Sequence, residues 1–373
     1  MTKTNTLLTI LGLGVAACAC AGQGQSEADR ARQLILKTLE RSYSQNVIAI
    51  ISQRDPEKLS SFQSIHVQIS KDGKVRQTVI YPLSMQGVET IDDGKLSATF
   101  LPDKKLMLIQ DSPKLLPIET SRINLAVKNY ALTLGGTTTV AGQSATIVVA
   151  KPRSRDLETR RYYIDARTGF ILQLETLDFS GAPKVAFKAQ QVTYPSRLSG
   201  ATFNIDQDAH DGRKVIIHQA VSVFKAGKSV DDLGFNYVLP QSLPFGFDLQ
   251  DAQMNSSGEY RSVAVRISDG LVKGTVYQYS LATARQMKVM GGTSVGDGAG
   301  IRFVVAADVP EAVRKKILDA FIEAAQKGEQ ERMMAGLLDN KELPGSKATL
   351  SGAEVQIWEL FLALQAAYAP LEI

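Results

Sequence analysis

The sequence predicts an α+β protein, mainly antiparallel β, arranged as two units. Three observations carry that expectation. Apolar and polar residues alternate at period two over many short runs. Asp-Gly, Gly and Pro signals separate those runs, which marks hairpins and meanders more than crossovers through helices. The chain has 373 residues, the length of two domains at about 150 residues each.

In order along the chain, Met1-Thr-Lys-Thr-Asn5 precedes an almost wholly apolar run over 6–17. The run falls short of the roughly 20 residues that a helix needs to cross a bilayer. A positive start, a short apolar core and small residues after it describe a secretory signal, so 1–21 is read as a signal segment. Two cleavage readings stay open. Ala19-Cys20-Ala21 fits a small-x-small site that leaves Gly22 as the N-terminus, whereas Val15-Ala-Ala-Cys18 resembles a lipobox in which Cys18 becomes lipidated. Both cysteines of the chain lie here, so nothing beyond residue 20 can supply a disulfide, a thiol nucleophile or a cysteine-metal site.

Ser26-Glu-Ala-Asp29 has the form of a capping box, and Ala28, Ala31, Leu34, Ile35 and Leu39 follow at helical spacing to about Ser42. The period then becomes two. Ile65, Val67 and Ile69 make one strand, Lys71-Asp-Gly-Lys74 a turn, and Val75, Val79 and Tyr81 its return. Asp92-Asp93-Gly94 is a further turn before Leu96, Ala98 and Phe100, and Leu106-Met-Leu-Ile109 reads as a strand covered on both faces. A helical pattern over 118–127 interrupts the strands, which resume at 145–150, 161–165, 170–179 and 185–192. Such a sheet must cover its inner face, either by curling around its helices or by packing on a second sheet. The stretch from Pro195 to Gly234 reads as a connection with short strands at 215–217 and 221–224. From Phe235 a second unit predicts strands at 260–267, 275–280 and 301–306, a glycine-rich loop at 291–300, and helices at 309–325 and 352–368.

Composition narrows the chemistry. Lys+Arg 42 against Asp+Glu 38 gives a net charge of +4, too balanced and too dispersed for a dedicated nucleic-acid binder. Three histidines and two cysteines leave little for a metal site. Gly292-Thr-Ser294-Val-Gly296 matches a nucleophile elbow, but a strand follows where a helix is needed, and no histidine occurs after His218. Gly227-Lys-Ser229 resembles the end of a P-loop with Ser222 in place of its first glycine. Asp92 and Asp93 are better explained by turn chemistry than as a catalytic pair. Arg153, Arg155, Arg160 and Arg161 form the densest basic patch, either a solvated edge or a foothold for an acidic partner or lipid head groups. These residues supply no catalytic, metal or cofactor site.

One ordered set of motifs resembles a known family. It runs Tyr130-Ala-Leu-Thr-Leu-Gly-Gly, Val140-Ala-Gly-Gln143, Lys151-Pro152, Arg161-Tyr-Tyr-Ile-Asp165-Ala-Arg-Thr-Gly169-Phe-Ile-Leu172 and Gly181. It continues with Leu243-Pro-Phe-Gly-Phe247, Ser268-Asp-Gly-Leu271 and Phe303-Val-Val-Ala-Ala-Asp308-Val-Pro310. It is similar to the periplasmic sigma-E regulatory proteins of the RseB/MucB family, whose N-terminal domain is in turn similar to lipoprotein carriers of the LolA type. Asn236-Tyr237 departs from the tryptophan expected before the Leu-Pro motif, and 328–373 has no counterpart in the family.

The resemblance implies a LolA-like open half-barrel enclosing helices at 26–198, a linker at 199–234, and a smaller α+β C-terminal domain at 235–327. A helical tail of unknown role covers 328–373. It implies a non-catalytic periplasmic sensor and negative regulator of an extracytoplasmic-function sigma factor pathway, soluble or anchored through Cys18. Its partners would be the periplasmic domain of a membrane-bound anti-sigma factor and the acyl chains of lipids or lipoproteins. Candidate lipid-facing side chains are Ile65, Val67, Val79, Phe100, Leu172 and Phe187, although ordinary sheet core is the favoured explanation of any one of them. The alternative is a LolA-like lipid or lipoprotein carrier of the envelope, which needs only the first domain. A flexible linker would let the two domains reorient.

Overall fold

The protein is described by a computed structural model that covers residues 26–39, 45–54, 62–112, 120–206, 212–217, 220–222, 233, 235–257, 260–284 and 292–334. The signal segment with Cys18, the P-loop-like Gly227-Lys-Ser229 and the helix expected at 352–368 lie outside the described residues.

Helix α1 (Glu27–Leu39) begins as its sequence dictates: the Asp29 amide donates to Ser26 Oγ at 3.1 Å, and the hydroxyl returns a 2.6 Å bond to the Asp29 carboxylate. Strands β1 (Val47–Arg54), β2 (Phe62–Ile69), β3 (Val75–Tyr81), β4 (Glu89–Asp92), β5 (Leu96–Leu101) and β6 (Leu106–Asp111) follow as one meander. Helix α2 (Thr120–Asn129) leads into a second meander of β7 (Tyr130–Val140), β8 (Gln143–Pro152), β9 (Thr159–Ile164), β10 (Ile171–Leu177) and β11 (Pro183–Thr193). Antiparallel pairing of β1 with β11 joins the meanders, and β12 (Lys214–Ile217) adds to β6 in parallel. The result is an open 12-stranded sheet in the order β12-β6-β5-β4-β3-β2-β1-β11-β10-β9-β8-β7.

Its turns are built from acidic side chains. Asp92 Oδ1 accepts the Gly94 amide and Asp93 Oδ1 the Lys95 and Leu96 amides, so the pair is structural. Asp165 Oδ1 accepts the Arg167 and Thr168 amides before Gly169, whose φ of 80° suits glycine.

A second, antiparallel sheet of six strands has the order β13-β14-β15-β16-β18-β17. Its members are β13 (Ala220–Ser222), β14 (Asp248–Ser257), β15 (Tyr260–Ser268), β16 (Lys273–Ser280), β17 (Thr293–Gly298) and β18 (Ile301–Ala307). A short helix α3 (Leu281–Ala284) and the long helix α4 (Glu311–Met334) complete the unit. The stretch read as a connection therefore gives β12 to the first sheet and β13 to the second, and α4 runs past residue 328.

In the glycine-rich loop expected at 291–300, the described residues 292–300 instead form strand β17 and its turn into β18. The glycines have a packing role. A Cβ on Gly296 would meet Ile322 Cδ1 at 2.9 Å and one on Gly298 would meet Ile322 Cγ2 at 3.0 Å, so their absence lets α4 lie close on the sheet. Phe303 and Phe321 close the same interface with ring centroids 6.0 Å apart.

Candidate functional site

The first sheet offers one broad inner face, and strand parity defines it. Val47, Ala49 and Ile51 of β1, Ile65, Val67 and Ile69 of β2, and Val79 of β3 alternate into one core with Ala31, Ile35 and Leu39 of α1 and Ala126 of α2. Five of the six candidate lipid-facing residues, Ile65, Val67, Val79, Leu172 and Phe187, belong to this core and are at most 2 % exposed. Phe100 does not join them. With Leu96 it packs on Ala98, Met107 and Ile109 on the opposite face, under the Arg213 guanidinium at 5.1 Å from its ring centroid.

The second feature is the junction between the sheets, which the sequence treated as a flexible linkage. Here the Ser268-Asp-Gly-Leu271 hairpin between β15 and β16 seats on α2. Asn129 Nδ2 donates to the Asp269 and Gly246 carbonyls, both at 2.8 Å, and Arg122 Nε to the Gly270 carbonyl at 3.2 Å. Tyr130, the first residue of β7, donates its hydroxyl to Asp269 Oδ2 at 2.6 Å in a fully buried setting. Asp269 Oδ1 accepts the Leu271 and Val272 amides, which fixes the turn. Gly270 has φ of 106°, and a Cβ there would run into the backbone of Ala126. Only glycine lets the hairpin approach α2 this closely.

Two leucines are exchanged across this junction. Leu271 of the second unit is part of the first unit's core, and Leu157, from the loop between β8 and β9, is part of the second unit's core. Full burial of each contributes on the order of 1.5–3 kcal/mol. On the other side of Tyr130, Arg160 Nη2 reaches the Asp308 carbonyl at 2.6 Å and its carboxylate at 2.9 Å. Arg160 and Asp308 border a small cleft shared with Tyr130 and Val272.

Electrostatics follow from burial. Desolvation, then the Asp269 charge, holds the Tyr130 phenol well above its ordinary pKa. Desolvation also raises the Asp269 carboxyl, although the Tyr130 hydroxyl and two backbone amides oppose it. Burial works against the Arg160 guanidinium, but Asp308 and the neighbouring phenols more than offset that and raise it.

The arginine patch disperses. Arg160 serves the junction, Arg161 pairs with Glu175 at 2.9 Å, and Arg153 donates to the Lys128 carbonyl. Ser294 lies buried on strand β17 and is followed by β18, not by a helix. Among the described residues, no helix is long and apolar enough to cross a membrane.

Comparison with known proteins agrees with this architecture. Residues 31–204 match the family described as the MucB/RseB N-terminal domain. Solved structures similar to the chain include a Pseudomonas aeruginosa MucA/MucB complex, at TM-score 0.54 and 17% identity, covering 77% of this chain and 96% of that one. MucB alone is similar at TM-score 0.53, and MucB in complex with MucA(peri) at 0.50, each at 17% identity and with the same 77% and 96% coverage. At this identity the likeness is one of fold, and its coverage extends beyond the N-terminal domain into the second sheet. Comparison with curated proteins finds no match.

Proposed function

The chain belongs to the MucB/RseB family through its N-terminal domain, residues 31–204, and from that premise we propose a non-catalytic periplasmic regulator. In this reading it acts negatively on an extracytoplasmic-function sigma factor pathway. The second unit holds the periplasmic part of an anti-sigma factor, and the concave face of the first unit receives acyl chains. The observation that carries the reading is the junction. A sheet whose inner face could accommodate an apolar ligand is tied to a second sheet by exchanged leucines and buried hydrogen bonds. A ligand that displaces α2 thereby changes the seat of the second unit's hairpin. Regulation of this kind requires the ligand to bind two states unequally.

A lipid or lipoprotein carrier would need only the first sheet, and the second sheet fused to it speaks against that alternative. The experiment is a pull-down of membrane proteins by the full chain, with and without a fatty-acyl compound. The reading expects capture of an anti-sigma protein and its release by the acyl compound. Acyl binding without any captured anti-sigma protein would favour the carrier.

A further inference from the structure

The inner face is not uniformly apolar, and its polar part has a pattern. Register places Val67, Gln77, Thr90, Thr99 and Leu108 side by side across β2 to β6. Val67 and Leu108 are core residues of the inner face, so parity puts Gln77, Thr90 and Thr99 on that face too. Thr90 Oγ1 and Thr99 Oγ1 are 3.1 Å apart, which satisfies one hydroxyl hydrogen and leaves the other to be used elsewhere. Gln77 is 7% exposed, and its buried Oε1 has no hydrogen-bond partner. Nearer the end of β2, Gln63 lies on the same face directly opposite Gln53; its Nε2 contacts Met85 Sδ and its Oε1 is likewise buried without a partner. A buried acceptor left unpaired is costly, and a donor supplied from outside would recover that cost.

We infer that the β3–β5 part of the concave face is a subsite for the head of an acyl ligand that is neutral and bears hydroxyl or amide N–H groups. The inference rests on the acyl-binding reading above and deepens it. The buried unpaired groups of Gln77 and Gln63 are acceptors, which take N–H or O–H donors, and the spare threonine hydroxyl hydrogen can meet a hydroxyl or carbonyl oxygen of the same head. Parity puts no lysine or arginine of β1–β6 on this face, while the buried Asp92 shares it, so these strands offer a phosphate or carboxylate head no cation among the described residues. The acyl chain itself would reach the apolar rows of β1 and β2 by displacing the helices that share their core.

Displacement of a fluorescent fatty-acyl probe from the full chain tests this with three ligands of one chain length: N-oleoylethanolamine, methyl oleate and oleate. The expected result is binding of the ethanolamide about five-fold tighter than the ester, with oleate weaker than the ethanolamide. Gln77→Leu should bring the amide-to-ester ratio near one and leave the ester unchanged. Thr99→Val, which keeps the side-chain shape, should lower the ratio in the same direction. A purely structural Gln77 would shift the thermal midpoint and leave the ratio alone. Equal binding of all three ligands, or a ratio unmoved in both variants, overturns the inference while acyl binding stands. Failure of all three to displace the probe overturns the acyl-binding reading and the subsite with it.

Discussion

The two sheets are covered in opposite ways. The second is sealed: α4 lies on a floor opened by Gly296 and Gly298, and Val313, Ile317 and Phe321 meet Val276, Phe303 and Val305 in an apolar core. The first is covered by α1 and α2 mainly at its β7–β8 side, and its inner face mixes core valines and isoleucines with Gln63, Gln77, Thr90 and Thr99. The α4-covered face of the second sheet also holds polar side chains, Gln278 bonded to the Val238 backbone and the buried Ser294, but they stand singly among apolar neighbours and not in a row across adjacent strands. In the acyl-binding reading, the polar row on the first face is the part that meets the head of the ligand. The junction is where the two designs touch, and there each unit completes the other's core.

Three substitutions sharpen this contrast. The largest effect is expected in the apolar part of the first face, where Leu172→Ala should cost about 2–5 kcal/mol in a urea titration, because the side chain is wholly buried. A cost as small as that of an exposed residue would mean that this part of the face is an open cavity and not core. In the sealed sheet, Gly296→Val should cost about 1–3 kcal/mol by overpacking against Ile322 and Leu318, and should leave acyl binding unchanged.

The smallest effect concerns the junction. Burial raises the Asp269 carboxyl, so the folded protein keeps that proton to a higher pH than the unfolded chain does. Its contribution to stability therefore falls as pH rises from the ordinary carboxylate range through the raised value. Asp269→Asn keeps an oxygen for the Leu271 and Val272 amides and removes this slope. The variant should differ from the parent by less than about 1 kcal/mol at neutral pH. Thermal midpoints measured across pH 4 to 8 check it, and an unchanged slope would show that Asp269 is not the group responsible.

Much of the fold was legible in residue order. The Ser26 cap, the Asp-Gly turns and the alternating strands β2, β3, β5, β8, β9, β10 and β11 follow from local chemistry. Strand β1 was not, because its outward Ile48 and Ile50 are as apolar as its inward Ala49 and Ile51, which erases the period of two. Strand β7 was hidden by Gly135-Gly136 and a run of threonines with no buried side. The glycines of β17 read as a loop because a helix seated on them is invisible to local pattern. The junction left a fainter signal: Leu157 is a lone large apolar residue in an otherwise polar turn sequence, the mark of a side chain buried in something other than its own hairpin, whereas Leu271 is masked by the adjacent Val272 of its own unit's core. The glutamines and threonines of the concave face could not be recognised before register set them side by side.

The central claim is that the junction carries the state of the concave face to the second unit. The direct measurement is the affinity of the full chain for an anti-sigma periplasmic segment, with and without saturating N-oleoylethanolamine, in the parent and in Leu271→Ala. The parent should bind the segment more weakly when the acyl compound is present, by the same factor with which the segment weakens acyl binding. In Leu271→Ala, both binary affinities should persist while that factor falls toward one. A variant that retains the full factor, or a parent in which it is one from the start, would contradict the account.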